Sequence, residues 1–418
     1  MIFRFIKKRL YFLVANYFVF WAKIRLKKWH PRIIVVTGSN GKTSTMHLLK
    51  SQLKSTAKYS ERANSAFGIP FDILGIRRQS FGLDEWPLMI LLAPFSAFKS
   101  PFAEKIYVAE ADAERPGEGQ ELSALLKPEA TIWLTCDRTH SQNFDSLVAG
   151  GKFQNIDEAI ADEFGYYLEH TEKFCLVNSN NGLIKQQVKR TAAKVSEISQ
   201  TNLKNYSLGI DGTRFSFTNK VVFVRALLPR EFHYSISAVL ELLKYLNVTP
   251  DYSFENFELP PGRSSILDGI KKTRIIDSSY NANFASVKAI LLMFAEMKDK
   301  EKWIVLGDLT DQGKEEKEEH QKLAELLNEQ EFEQLIFVGP RLSRYAKPIL
   351  KKPAQSFENP KEALDYLRQN LKGGEVILFK GARFLEGIIE HLLLNKADVR
   401  LLCRQEVVWR NRRKKWQL

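Results

Sequence analysis

The run Gly38-Ser39-Asn40-Gly41-Lys42-Thr43-Ser44 holds the ingredients of a phosphate cradle. Two glycines let the backbone approach oxygen closely, a lysine meets negative charge, and a hydroxyl follows that can reach a divalent cation. An ordinary phosphate loop reads G-x-x-x-x-G-K-[ST]. Counting back from Gly41-Lys42-Thr43 puts Val36 where the first glycine belongs, with Gly38 two residues late. The chemistry needs glycine wherever the chain touches the phosphate, so a moved glycine is not a lost one. The tripeptide G-K-T alone, however, occurs by chance.

Such a loop works only if a strand delivers it and a helix follows. The β-branched run 32–38 ("RIIVVTG") predicts the strand, and a helix is expected from about Thr43. Further buried strands are expected at 105–112, 130–136 and 173–178, a hairpin or edge strand at 214–224, and a helix at 233–248. The stretch "ELPPGRSS" (258–265) reads as a linker. A second series of strands, 273–279, 302–308, 334–339 and 375–381, alternates with helical segments. The fold class is therefore α/β: a central nucleotide-binding domain with a mainly parallel sheet, then a Rossmann-like α/β domain. The boundaries expected are 1–30 for a basic helix, 31–260, 261–398, and a basic tail 399–418.

The chain has 418 residues, 44% of them hydrophobic, and a net charge of +13. That charge sits at the ends. Residues 1–60 contain 13 Lys+Arg and no acid, and residues 399–418 contain 7 Lys+Arg and one Glu, which leaves −6 for the body. Nucleic-acid binding is not expected, because no recognition motif accompanies the basic ends. Cys136, Cys175 and Cys403 lie far apart, so neither a disulfide framework nor a cysteine-rich zinc site is indicated. The apolar run Leu10–Ala22 is too short to span a bilayer, and no small-x-small cleavage site follows it. A helix lying in an anionic membrane interface is expected, with Tyr11, Phe12, Tyr17, Phe18, Phe20 and Trp21 at headgroup level. The alternative is a helix packed on the protein's own surface.

The full string T-G-S-N-G-K-T-S-T resembles the loop of the Mur ligases, ATP-dependent enzymes that add amino acids to the cell-wall precursor and carry their glycine in this later position. Other blocks resemble the family in order: "NSAFGIP" (64–70), "VAEADAERPGE" (108–118), "LTCDRTH" (134–140), "PGRSS" (261–265), "DSSYNANFAS" (277–286), "LGDLTDQG" (306–313) with His320, and "KGAR" (380–383). The last three are most similar to the branch that adds D-alanyl-D-alanine. The resemblance spans roughly residues 32–393.

It implies ATP and Mg²⁺ as cofactors, a muramyl peptide and D-Ala-D-Ala as substrates, and activation of a carboxylate as an acyl phosphate that an amine then attacks. Lys42, Glu110 and His140 would be catalytic. Gly38, Ser39, Asn40, Gly41, Lys42, Thr43 and Ser44, with Arg263, Asp277 and Asn281, would bind ATP, and Thr43, Glu110 and His140 would hold metal. Asn64, Lys380 and Arg383 would meet substrate. Each has a plainer competitor: a structural salt bridge for Glu110, a surface histidine for His140, a helix cap for Asp277 and Asn281, and solvated cations for Lys380 and Arg383.

Three departures qualify the resemblance. Most of the family begins with a UDP-gripping domain, whereas here about thirty residues precede the first strand, so a lipid-linked or loosely held UDP-linked acceptor at the inner face of the cell membrane is expected. The family's carbamylated lysine aligns with Phe164 or, counted from His140, near Lys152; without it Glu163 is a substitute ligand. Asp311 stands where the family has glutamate. Two other readings stay open: amidation or ligation of another acceptor, and a nucleotide-binding scaffold without catalysis.

Overall fold

The computed structural model describes residues 2–61, 63–78, 82, 84–209, 212–299, 301–382 and 384–418, with the backbone alone for residues 2–9. The chain forms two compact units, one of residues 1–137, 146–200 and 234–250, the other of residues 138–145, 201–233 and 251–418.

The first unit is built on six strands: β1 (Arg32–Thr37), β2 (Ala57–Tyr59), β3 (Ile106–Glu110), β4 (Ala130–Trp133), β5 (Phe174–Asn178) and β6 (Lys194–Ile198). Their order is β2-β3-β1-β4-β5-β6, all pairs parallel. β1, β3, β4 and β5 are buried almost throughout, as expected when helices cover both faces of a parallel sheet. After β1 the chain builds one side of the sheet with β2 and β3, then crosses to the other for β4–β6. That reversal opens a crevice beyond the carboxyl end of β1.

The amino-terminal helix Ile2–Trp29 belongs to this unit. Ala15, Phe18, Val19, Ala22, Arg25 and Trp29 make its buried stripe, at helical spacing. It packs on the helices Gly68–Leu74 and Trp86–Phe98. Phe18 lies edge-on to Phe71, with ring centroids 4.7 Å apart. The buried Arg25 guanidinium donates to the carbonyls of Leu74 (3.3 Å), Ser96 and Ser100 (3.2 Å), so one cation serves the carboxyl ends of two helices. Pro94 lies inside the second of these and provides no N–H for the Ile90 carbonyl one turn earlier. The Tyr17 hydroxyl donates to that carbonyl instead, at 2.8 Å. Phe18, expected at a membrane surface, is thus part of the core. The longest helix is also not a span: no helix among the described residues is long and apolar enough to cross a membrane.

The second unit contains an antiparallel sheet of β7 (Leu203–Gly209), β8 (Gly212–Phe217) and β9 (Lys220–Val224). Its main sheet has β10 (Ser265–Asp268), β11 (Arg274–Ser278), β12 (Lys302–Gly307), β13 (Gln334–Val338), β14 (Gln355–Phe357) and β15 (Val376–Lys380), in the order β10-β11-β15-β12-β13-β14. β10 alone is antiparallel. Successive side chains alternate between two apolar layers. Ile276, Ile304, Leu306, Phe337 and Leu378 pack with Leu291, Phe294, Leu323 and Leu327 on one face. Ile275, Trp303, Val305, Ile336 and Phe379 pack with Leu364, Leu367, Ile388 and Leu392 on the other. β15 lies between β11 and β12, with Lys380 in register with Ser278 and Leu306. That insertion brings three of the quoted motifs, on 277–283, 308–313 and 380–382, to adjacent strand ends. All three cysteines are free thiols and buried.

Candidate active site

The loop after β1 is held by its own hydrogen bonds to the segment 135–137. Gly38 has φ +124°, and a Cβ there would lie 2.6 Å from the Thr135 carbonyl oxygen, so only glycine fits. The Ser39 amide donates to that same carbonyl (3.1 Å). Asn40 and Thr135 exchange two hydrogen bonds of 2.8 Å, the Asn40 amide to Oγ1 and Oγ1 to the Asn40 carbonyl. The Ser39 hydroxyl and the Asn40 amide side chain both donate to Asp137 Oδ2 at 3.0 Å. Burial pushes the Asp137 carboxyl up, and these two donors oppose the shift. The helix Lys42–Leu53 then starts at Gly41, which has φ +77° and no side-chain cap. Its amino terminus is left for an anion.

Lys42 is buried, with Nζ 2.6 Å from the Gly38 carbonyl and 2.8 Å from Asp112 Oδ2. Asp112 is fixed in turn: Oδ1 accepts from the Ala113 amide at 2.8 Å, and its carbonyl accepts from the Tyr167 hydroxyl at 2.7 Å. Glu110 ends β3 beside β1, where Val36 pairs with it. The Thr43 hydroxyl donates to Glu110 Oε1 at 2.9 Å. Sheet order therefore brings together Lys42, Thr43, Glu110 and Asp112, a cation and two carboxylates around a hydroxyl, which is a donor set fit for a hard divalent cation next to phosphate. Ser44 is buried in the first turn of the same helix. Asn64 faces this group through Asp112, its Nδ2 3.5 Å from Oδ2.

His140 belongs to the second unit. It has φ +52° and lies 3.8 Å from Asp311 Oδ2, while Gln142 Nε2 donates to Asp311 Oδ1 at 3.0 Å. Asp311, itself at φ +62°, thus supports the histidine segment. Phe164, at one of the two positions expected for a lysine, is fully buried against Trp133, and Lys152 is exposed. Glu163 accepts hydrogen bonds from the amides of Gly117 and Gly119 (3.1 Å to Gly119) and has its carboxyl pushed up by burial. It serves the backbone there.

At the second sheet, Asp277 is fully buried. Oδ1 accepts from the Ser279 amide at 3.0 Å, Oδ2 has no hydrogen-bond partner among the described residues, and burial lifts the carboxyl to about 6. Lys380 Nζ donates to the Asn281 carbonyl at 2.7 Å. Its burial, with Arg263 nearby and Asp277 opposing, brings the ammonium down to about 7. The Arg263 guanidinium stacks 4.6 Å from the Tyr280 ring centre. The helix Phe284–Glu296 is capped by Asn283, whose side chain accepts from the Ser286 amide, so neither Asp277 nor Asn281 is its cap. His320 is buried and donates Nδ1–H to the Glu316 carbonyl while Nε2 accepts from the Leu309 amide, pinning the loop that follows β12. Arg383 lies outside the described residues.

Asp112 and Asp137 escaped the sequence reading. Their partners lie 70 and about a hundred residues away in sequence, and only sheet order brings them together. The hint was proximity to Glu110 and His140 within quoted motifs.

A glycine-bent loop on the central strand of a parallel sheet, leading straight into a helix amino terminus, defines a phosphate-loop nucleotide-binding fold. Comparison with known proteins narrows the class. Residues 36–226 match the Mur ligase middle domain and residues 262–383 match the Mur ligase, glutamate ligase domain. The chain belongs to the Mur ligase family. It is similar to the UDP-N-acetylmuramoyl-tripeptide--D-alanyl-D-alanine ligase of Borreliella burgdorferi, 24% identical over 87% of this chain and 74% of the relative. The Bacillus subtilis protein of the same name is 22% identical over 89% and 78%. The crystal structure of the MurF ligase of Thermotoga maritima in complex with ADP superimposes with a TM-score of 0.73 at 20% identity, over 90% of this chain and 82% of that one. The expected family and the α/β architecture are both borne out.

Proposed function

We propose that the protein is an ATP-dependent ligase that joins D-Ala-D-Ala to the terminal carboxylate of a muramyl tripeptide. The observation that carries this reading is the buried Lys42–Asp112 pair next to the Thr43–Glu110 pair, on a loop already bent for phosphate. Bound Mg-ATP would supply the phosphoryl group that turns a poor electrophile, the carboxylate, into an acyl phosphate.

In this reading Lys42 Nζ leaves the Gly38 carbonyl and neutralises the transferred phosphoryl oxygens, while Gly38, Ser39, Asn40, Gly41, Thr43 and Ser44 line the phosphates. Thr43 and Glu110 would hold Mg²⁺, which would shield the phosphate charge, Asp112 keeps Lys42 oriented, and His140 would serve a second metal. Arg263, Asp277 and Asn281 receive the nucleotide, the unsatisfied Asp277 Oδ2 being suited to a ribose hydroxyl. Asn64 and Arg383 meet substrate. Lys380 fits a different task from carboxylate capture, because its Nζ is buried on the Asn281 carbonyl; it braces the nucleotide loop from behind. The reading also puts the protein on the inner face of a membrane, since the first sixty residues carry 13 cations and no acid.

Phosphate release from Mg-ATP tests the chemistry, with UDP-muramyl tripeptide and D-Ala-D-Ala supplied together and each omitted in turn. Release that needs both substrates and disappears in Lys42→Ala is the expected result. A protein that binds ATP yet releases no phosphate with UDP-linked or lipid-linked acceptor would overturn the ligase assignment in favour of a scaffold.

A further inference from the structure

The helix Trp86–Phe98, "WPLMILLAPFSAF", contains no charged residue. One stripe, Met89, Ala93, Ser96 and Ala97, is buried against its own unit. The opposite stripe is as apolar and uncovered: Leu88, Leu91, Leu92, Phe95 and Phe98 are all exposed, Leu91 by 61% and Phe95 by 65%. A helix apolar all round normally lies inside a protein, and a contiguous exposed apolar patch of this kind marks a contact surface.

The patch does not stop at that helix. The amino-terminal helix lies alongside, tied by the Tyr17 hydroxyl to the Ile90 carbonyl, by the Trp21 and Phe98 rings, and by Lys28 Nζ to the Phe98 carbonyl at 2.9 Å. Its outward stripe runs Leu10, Leu13, Asn16 and Phe20, then Lys23 and Lys27; Leu13 is 69% exposed. Both helices run in the same direction, because residue 17 meets 90 and residues 21 and 28 meet 98. The two stripes meet where Trp21 packs between Phe20 and Phe98, at ring-centre distances of 5.0 and 6.3 Å, and the exposed cations Lys23, Lys27, Lys28 and Lys99 gather at one end. Asp84 and Glu85 precede the apolar helix at the other end, and Glu121 lies 3.5 Å from Asn16 Nδ2 on the amino-terminal helix.

We propose that these two helices form one membrane-binding platform, with Leu88, Leu91, Phe95 and Phe98 inserted among acyl chains beside Leu13 and Phe20, and the lysine end on anionic headgroups. The inference rests on the membrane location given above and assigns its main apolar anchor to the helix 86–98, not to the amino-terminal helix alone. An anionic bilayer suits the surface on charge: its exposed cations are Lys23, Lys27, Lys28 and Lys99, so a second copy docking through the same face would oppose like charges. Aliphatic and aromatic side chains at the acyl boundary with lysines outside them is the arrangement of interfacial binding.

The test is flotation of the full chain with phosphatidylglycerol/phosphatidylcholine vesicles and with pure phosphatidylcholine vesicles. The wild type is compared with Leu91→Glu/Phe95→Glu and with Leu13→Glu/Phe20→Glu. All four positions are exposed, and a thermal melt checks that each variant folds. Binding to anionic vesicles only, weakened by about tenfold or more in the 91/95 variant, is the expected result. Binding lost in the 13/20 variant but intact in the 91/95 variant would overturn the platform while leaving the amino-terminal helix as anchor. No wild-type binding to either vesicle would overturn both. A wild-type dimer that the 91/95 variant converts to monomer, without vesicle binding, would assign the patch to a second copy and overturn the proposal.

Discussion

Lys380 makes the stability of the second unit depend on pH in a direction opposite to that of an ordinary surface lysine pair. Its ammonium is brought from 10.5 to about 7 by burial. Between those values the unfolded chain holds a proton that the folded chain has released, so stability rises with pH. Applying the linkage relation to one such group gives a gain of about 2 kcal/mol between pH 7 and pH 9, out of about 5 kcal/mol for the whole shift. Asp277, which faces it, titrates near 6 and so changes mostly below this window. The measurement is urea unfolding of the full chain at pH 7 and pH 9, for wild type and Lys380→Met. Methionine keeps the length and removes the titrating amine together with its hydrogen bond to Asn281. Other titrating groups contribute equally to both proteins, so the difference between the two pH trends belongs to Lys380. The wild type should gain about 2 kcal/mol more than the variant on going to pH 9. Parallel trends in the two proteins would mean that Lys380 stays charged in the fold, and the buried-brace description would be wrong.

Two further outcomes follow from local geometry. Gly38→Ala must place a Cβ 2.6 Å from the Thr135 oxygen at φ +124°, so the loop should distort; we expect a loss of about 2 kcal/mol or more in thermal stability and of nucleotide binding measured by calorimetry. Asn283→Ala removes the capping box of the helix 284–296 and should cost about 1 kcal/mol, while nucleotide affinity, measured in the same way, changes little if Asp277 and Asn281 are the ligand-facing residues.

Much of this was legible in the sequence because parallel strands buried on both faces are written as unbroken β-branched runs. Strands at 32–37, 106–110, 302–307 and 376–380 stand out for that reason. Short or edge strands did not: β2 and β14 have three residues each, and β6 reads "KVSEI" with most of its side chains half-exposed or exposed. In the helix 86–98, Pro94 and the lack of polar alternation hide the period; what makes the helix tenable is Tyr17, far away in sequence, bonding the carbonyl the proline leaves behind. Lys42, Thr43 and Glu110 were readable from a motif. Asp112 was not singled out, because what makes it notable is the lysine it touches. The helix cap shows the limit of local reasoning: five residues of the motif 277–283 are of types able to cap, and Asn283 is the one at the cap position, with extended backbone.

The loop's lysine is engaged within the fold, by the Gly38 carbonyl and by Asp112. An arriving anion therefore trades places with the Gly38 carbonyl and shares Lys42 with Asp112, and its affinity is the difference between two occupied states rather than the sum of new contacts. A small anion that reaches only the lysine gains little by that exchange. A ligand that also brings a cation for Glu110 and Thr43 changes the balance, since the added charge draws the carboxylates and frees the ammonium for phosphate. Under the proposed function the loop would discriminate by requiring its visitor to satisfy both signs of charge at once.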